Sequence, residues 1–481
     1  MTHKPNASRR RFLQAASLMS AVGTSGAPFA LNLLTVGAAA AQTAGDGYKA
    51  IVCLFLAGGN DHANTVLATD PASWSSYTSV RTTNEAGSIA LPAAGMPGGV
   101  LPIVPNTVQP GREFALHPGL GPLKDLFDNG RAAVIANVGP LVMPTTRVQY
   151  KAQSVALPPK LFSHNDQQSL WQSSRPEGAK FGWGGRMGDL LASMNGNATF
   201  TSVSAAGNAV FLAGQRINQY QVNASGAVPI AGVSGSLFGA PAGSNSLHAI
   251  LTGSRSNVFE QDHAAIVKRS IDAQGVLSTS MAPAGAAGVP NPTQYTNPNT
   301  GALANNPLAV QLQTVARVIA GRGGLGAQRQ VFFVSMGGFD THDFEKANHA
   351  DLMAKLAHAM SYFDTTLASL GGADLRGQVT LFTASDFGRT FTSNGDGTDH
   401  GWGAHHFVMG GAVKGKDIYG TFPVTGLNHA EDVGSGSLLP AISVDQYAAT
   451  LAKWFGLSDG QIADVFPNIG NFSMRNLGFM A

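Results

Sequence analysis

Five short apolar runs, AIVCLFLAGGND, RAAVIANVGP, RQVFFVSMGGFDTHD, QVTLFTASDFGRT and HHFVMGGAV, end in glycine-rich or polar loops. β-Branched and aromatic residues fill them without clean alternation, the pattern of strands covered on both faces. Between them the apolar spacing turns helical. In ADLMAKLAHAMSYFDTTLASLGG, Leu352, Leu356, Met360, Phe363 and Leu367 recur at helical intervals, with Asn348 and Asp351 suited to the N-terminus and Gly371 as a stop. PLAVQLQTVARVIAGRGG, with Pro307 near its start, and SVDQYAATLAKWFG predict two more helices. Strand, helix and strand in succession predict a three-layer α/β/α sandwich with a mostly parallel central sheet. In such sheets ligands gather at the carboxyl ends of the strands.

The N-terminus lies outside this pattern. Arg9 and Arg10 precede Phe12 and Leu13, and a moderately apolar run without an acid continues to VGAAAAQTA. These are the n-region, h-region and A-x-A cleavage signal of a twin-arginine signal peptide, residues 1–41. Gly23, Gly26 and Pro28 interrupt the run, which argues against a simple anchor helix. The expected partner is the twin-arginine translocase, and the expected location is periplasmic or secreted.

Export changes the charge reading. Without Lys4, Arg9, Arg10 and Arg11, the 30 basic residues become 26 against 28 acids, and the formal charge moves from +2 to −2. No basic cluster with interleaved aromatics remains, so nucleic acid is not expected as a partner. The single cysteine, Cys53, cannot form a disulfide within the chain and reads as a buried strand thiol. No apolar stretch after the signal is long enough to span a bilayer. At 481 residues, 44% hydrophobic and 12% charged, the chain can bury a large core and is globular. Residues 202–306, rich in Gly, Ala, Ser, Asn and Pro, read as a surface insertion with a few helical pieces and as a candidate lid over the sheet edge.

Four loops after apolar runs carry metal-ligand chemistry. AGGND presents Asp61, GGFDTHD presents Asp340 and His342, TASDFGR presents Asp386 and Arg389, and GTDHGWGAHH presents Asp399, His400, His405 and His406. Singly, each reads as a turn residue or a core histidine. Together, carboxylates and imidazoles at several strand ends of one sheet predict a shared divalent-metal site. Such an ion polarises a phosphoryl or sulfuryl oxygen. His349 and His358 lie on the following helix, the first near enough in sequence to line the site.

The ordered motifs FLAGGNDHANT, LHPGL, LFSHNDQQSLWQ, GWGGRMGDLL, GGFDTHD, SDFGRT and TDHGWGAHHFVMGGAVKG resemble the DUF1501 family of exported bacterial proteins, from about Lys49 to Phe479. That family is similar in turn to the alkaline phosphatase and sulfatase superfamily. The resemblance implies an alkaline-phosphatase-like fold and one or two divalent ions on Asp61, Asp340, His342, Asp386 and His400, with zinc, manganese and calcium all open. Two departures stand out: only Thr341 separates Asp340 from His342, and Phe387 stands where a histidine ligand is expected. His405 or His406 would then replace the missing imidazole, Arg389 would hold the anion by bidentate hydrogen bonds, or the site has decayed.

The superfamily nucleophile lies at a helix N-terminus, where free backbone N–H groups receive an anionic ester. Ser163 matches by order, with His164 and Asp166 beside it; Thr145 and Thr146, close to Arg147, compete, and a helix cap is the plain alternative for Ser163. The expectation is an exported metal-dependent hydrolase of a phosphate or sulfate ester, with Ser163 attacking and Arg389 stabilising charge. The rival is a non-catalytic binding protein on the same scaffold.

Overall fold

Alternate residues of the first apolar run face opposite ways, and each set is buried in its own core. In the computed structural model, which describes residues 47–82, 88–233 and 246–481, this run is β1 (Lys49–Leu56). The segment read as a signal peptide lies outside the described residues. The other sheet strands are β2 (Ala132–Gly139), β3 (Ser202–Ser204), β4 (Tyr220–Asn223), β5 (Gly226–Ala227), β6 (Arg329–Met336), β7 (Val379–Ser385), β8 (Ala404–Met409), β9 (Ile418–Tyr419) and β10 (Ile442–Ser443). Their order is β9-β2-β8-β7-β1-β6-β3-β4-β5, with β10 also on β2. β8 runs antiparallel to both neighbours, and β4 and β5 are antiparallel; the other pairs are parallel.

The helices used below are α1 (Pro71–Arg81), α2 (Gly121–Asp128), α3 (His164–Ser173), α4 (Trp183–Leu191), α5 (Val258–Ser280), α6 (Pro307–Ala320), α7 (Glu345–Leu367) and α8 (Val444–Phe455). Ala50, Val52, Leu54 and Leu56 join Phe332 and Leu381 against α2, α6 and α7. Ile51, Cys53 and Phe55 join Phe333 and Phe382 against α4 and α8. Each fully buried Val, Leu, Ile or Phe side chain among them contributes roughly 1.5–3 kcal/mol, so both helix layers are held to the sheet. The expected α/β sandwich with a mostly parallel sheet is thus present.

One expectation shifts in detail. The helix expected to begin near Asn348 and Asp351 begins at Glu345, because another loop supplies its cap: Asp396 accepts Phe344 N–H at 3.0 Å through Oδ2 and Glu345 N–H at 2.9 Å through its carbonyl. Asp351 instead accepts from Tyr295 and Asn297. The tract from 202 opens with β3, β4 and β5, which extend the sheet beyond β6, and continues into α5. Among the described residues no helix is long and apolar enough to cross a membrane.

Register sets the site. Leu56 pairs with Met336 on one side and Ser385 on the other, so β1, β6 and β7 end level. The loops bearing Asp61, Asp340 and Asp386 therefore leave from one sheet edge. An isolated bridge between Arg389 and His400 brings the segment before β8 to the same edge.

Candidate metal centre

Gly58 and Gly59 let the β1 loop thread between its neighbours. Their φ angles are +122° and +91°. A Cβ on Gly58 would lie 2.3 Å from the Asp340 nitrogen, and one on Gly59 would lie 2.4 Å from the Phe387 ring. Glycine is the residue that tolerates both demands.

Around this turn four side chains converge. His164, at the start of α3, faces the buried Asp386 through Nδ1 at 2.7 Å. Asp386 also accepts from Gln168 Nε2 at 2.8 Å and Gly58 N–H at 3.0 Å. An ionised carboxylate only accepts, so the His164 proton belongs on Nδ1, leaving Nε2 with its lone pair when the ring is neutral. The Asp386 hydrogen bond raises the pKa of His164 above the ordinary value. His400 Nδ1 donates to the Phe162 carbonyl at 2.8 Å, which likewise bares its Nε2. Burial lowers the His400 pKa and favours its neutral form.

These two Nε2 atoms lie 3.1 Å apart, and His342 Nε2 is 3.0 Å from that of His400. Asp340 completes the group: Oδ2 is 3.4 Å from His164 Nε2, and Oδ1 is 3.1 Å from His342 Nε2 and 3.3 Å from His400 Nε2. Burial alone would raise the Asp340 pKa, but the Arg389 hydrogen bond at 2.6 Å, the guanidinium charge and the neighbouring His342 and His164 together outweigh it and keep the carboxyl below its ordinary value. One ligand atom each from His164, Asp340 and His400 fall within 4.8 Å of one another. Phe387 forms the wall behind two of them, its ring 4.8 Å from His164 and 4.6 Å from His400.

The other expected residues have partners of their own. Asp61 is fully buried and takes Arg81 on both carboxylate oxygens, at 2.5 and 3.0 Å. Burial would raise its pKa, but the guanidinium prevails and holds it below the usual carboxylate range. Asp386 faces His164 rather than the converging atoms. Arg389 is buried and engaged by Thr398, the Gly58 carbonyl and Asp340, so its fork is occupied. Ser163 precedes α3 without capping it; its hydroxyl donates to Asp166 Oδ2 at 2.9 Å. Thr146 is the capping-box residue of the helix Arg147–Ala152, and Thr145 donates to the Met143 carbonyl.

His405 accepts Asn137 N–H and stacks on Phe422, while His406 faces Thr383 and Trp171. Successive strand residues point to opposite faces, and neither histidine joins the converging group. His349 is buried against Asn60, and His358 contacts Asn306 and Thr293. His164, noticed in the sequence only as a neighbour of Ser163, emerges as a central residue. Its signal was an imidazole at the first position of a helix that starts at the sheet edge.

The family model for DUF1501, a protein family of unknown function, matches residues 242–465, a span that carries Asp340, His342, Asp386 and His400. No curated protein matches the chain. Among solved structures, the chain is similar to the Bacteroides thetaiotaomicron protein BT33494S-sulf, described with the metabolism of multiple glycosaminoglycans, at 10% identity and a TM-score of 0.33, covering 87% of this chain and 75% of that one. It is also similar to Ps i-CgsB, alone and in complex with k-i-k-neocarrahexaose, at 9% identity and a TM-score of 0.34, covering 89% of this chain and 77% of that one.

Proposed function

We propose that this protein is an exported metal-dependent hydrolase of a phosphate or sulfate ester, with a divalent ion held by His164, Asp340, His342 and His400. The observation that carries the reading is the pair of imidazole Nε2 atoms at 3.1 Å, each in a ring whose Nδ1 faces an acceptor, a carboxylate for His164 and a carbonyl for His400. Facing lone pairs repel, and a cation between such groups removes the repulsion. Imidazoles whose second nitrogen donates to a carboxylate or carbonyl are the usual form of metal-ligating histidine. Three nitrogens and one carboxylate favour zinc or manganese over calcium, which takes six to eight oxygens. The ion would supply Lewis-acid polarisation of the ester and a bound water with a pKa lowered towards about 7.

The chain's own residues fill the remaining roles. Asp386 fixes the ring of His164, and Arg389 fixes Asp340. Ser163 is the nucleophile in this account, with Asp166 placed to accept its proton and the amino end of α3 to receive the anionic group. Arg9 and Arg10 address the chain to the twin-arginine translocase.

A second reading, a non-catalytic binding protein, draws on Asp61 and Phe387. The first is locked to Arg81 and the second has no ligand atom, so a two-ion site is incomplete. Turnover separates the two. Zinc- or manganese-loaded mature protein should hydrolyse at least one class in a panel of phosphate and sulfate monoesters and diesters, and Ser163→Ala should abolish it. Stoichiometric metal without turnover of any ester would favour the binding protein.

A further inference from the structure

From Asp61 a buried run of polar contacts leads back to Asp340. Besides holding Asp61, Arg81 Nη1 lies 3.9 Å from Glu345 Oε1. Glu345 Oε2 accepts the Thr398 hydroxyl proton at 2.5 Å. The Thr398 hydroxyl oxygen accepts Arg389 Nε–H at 3.2 Å, and its carbonyl accepts from Arg389 Nη2. Arg389 Nη1 then reaches Asp340 Oδ1 at 2.6 Å. Asp61, Arg81, Glu345, Thr398 and Arg389 are all fully buried, whereas the Asp340 side chain is 42% exposed.

The direction of this chain of bonds is fixed by chemistry. Arginine only donates, so Thr398 must accept from Arg389, and its single hydroxyl proton is left for Glu345. With two of its nitrogens gripped by one residue, the guanidinium cannot turn. Its third nitrogen pins one oxygen of a half-exposed aspartate that would otherwise rotate in solvent. We infer that Thr398 and Glu345 are positioning residues of the metal centre, fixing Arg389 so that Asp340 is aimed at the space shared with His164, His342 and His400. This rests on the metal reading above, and it gives the buried acids a role that ligation does not.

The test is zinc affinity of the full mature chain, measured by competition with a chromophoric chelator, with thermal stability recorded alongside. Thr398→Val keeps the shape and removes the hydroxyl; it should weaken zinc binding by about 10-fold or more, the usual effect of losing a group that orients a ligand. Thr398→Ser restores the hydroxyl and should restore the affinity. A folded Thr398→Val protein with wild-type affinity, or Thr398→Ser as impaired as Thr398→Val, would overturn the assignment. Should Thr398→Val fail to fold, Arg389→Lys carries the test: a lysine reaching Asp340 cannot also hold Thr398 twice, so wild-type affinity there overturns it equally. A wild-type chain that takes up no zinc defeats the metal reading and the positioning role together. Zinc uptake by wild type with no loss in the folded variants defeats positioning alone.

Discussion

Replacing Asp386 by Asn should reverse the tautomer of His164. The aspartate accepts three hydrogen bonds, from His164 Nδ1, Gln168 Nε2 and Gly58 N–H. Asparagine offers one oxygen and one amino group, so two arrangements compete. If the oxygen faces His164 and Gln168, the amino group confronts the Gly58 N–H and leaves that donor unpaired, at a cost of about 1–3 kcal/mol. If the oxygen faces Gly58, the amino group donates to His164 Nδ1, Gln168 turns its amide, and every group is satisfied once the imidazole proton moves to Nε2. The second arrangement wins, and it places a proton where the proposed ligand lone pair was. Zinc affinity should fall by about 10–100-fold, which is about 1.4–2.8 kcal/mol at 1.4 per decade. Chelator competition reads the affinity, and long-range nitrogen–proton NMR reads the tautomer. An Asn variant that binds zinc as tightly as wild type, with His164 still protonated on Nδ1, would show that Asp386 does not set the tautomer of His164.

Arg81→Met strands the Asp61 carboxylate in the interior and should cost about 3–5 kcal/mol in urea unfolding, most of it recovered when Asp61→Leu is added; a loss below about 1 kcal/mol would contradict the buried pair. In the folded chain burial holds His62 and His349 at about 4 and His406 at about 3, against 6.5 in an exposed histidine. The unfolded state therefore takes up protons first, and this stability is complete above pH 6.5 and lost as pH falls through the folded values. Chelator-treated protein with a flat urea midpoint from about pH 7 to about 4.5 would count against it. Arg9→Lys with Arg10→Lys should abolish export, and an unchanged periplasmic yield would remove the twin-arginine assignment.

The sequence made the sheet legible because β1, β6 and β7 are apolar on both faces, a pattern few other elements share. It also showed that acids and histidines follow those strands. What it could not show was which of them are already spoken for. Asp61 and Asp340 each follow a strand and a glycine pair, yet one is sealed by Arg81, twenty residues on along α1, and the other faces solvent. The pairing of His164 with Asp386 spans 222 positions and has no local signature. Phe387 read as a missing ligand, whereas its ring backs His164 and His400. His405 and His406 read as replacements, but strand alternation sends their rings into separate buried surroundings.

The divalent ion proposed for His164, Asp340, His342 and His400 is open to direct measurement. Elemental analysis of the mature chain, purified without chelator, tests it most directly when run beside His400→Ala, a substitution at a partly exposed position. One divalent ion per wild-type chain and a marked loss in the folded variant are the expected results. A wild-type chain without stoichiometric metal, or a His400→Ala chain with undiminished metal, would contradict the proposed site.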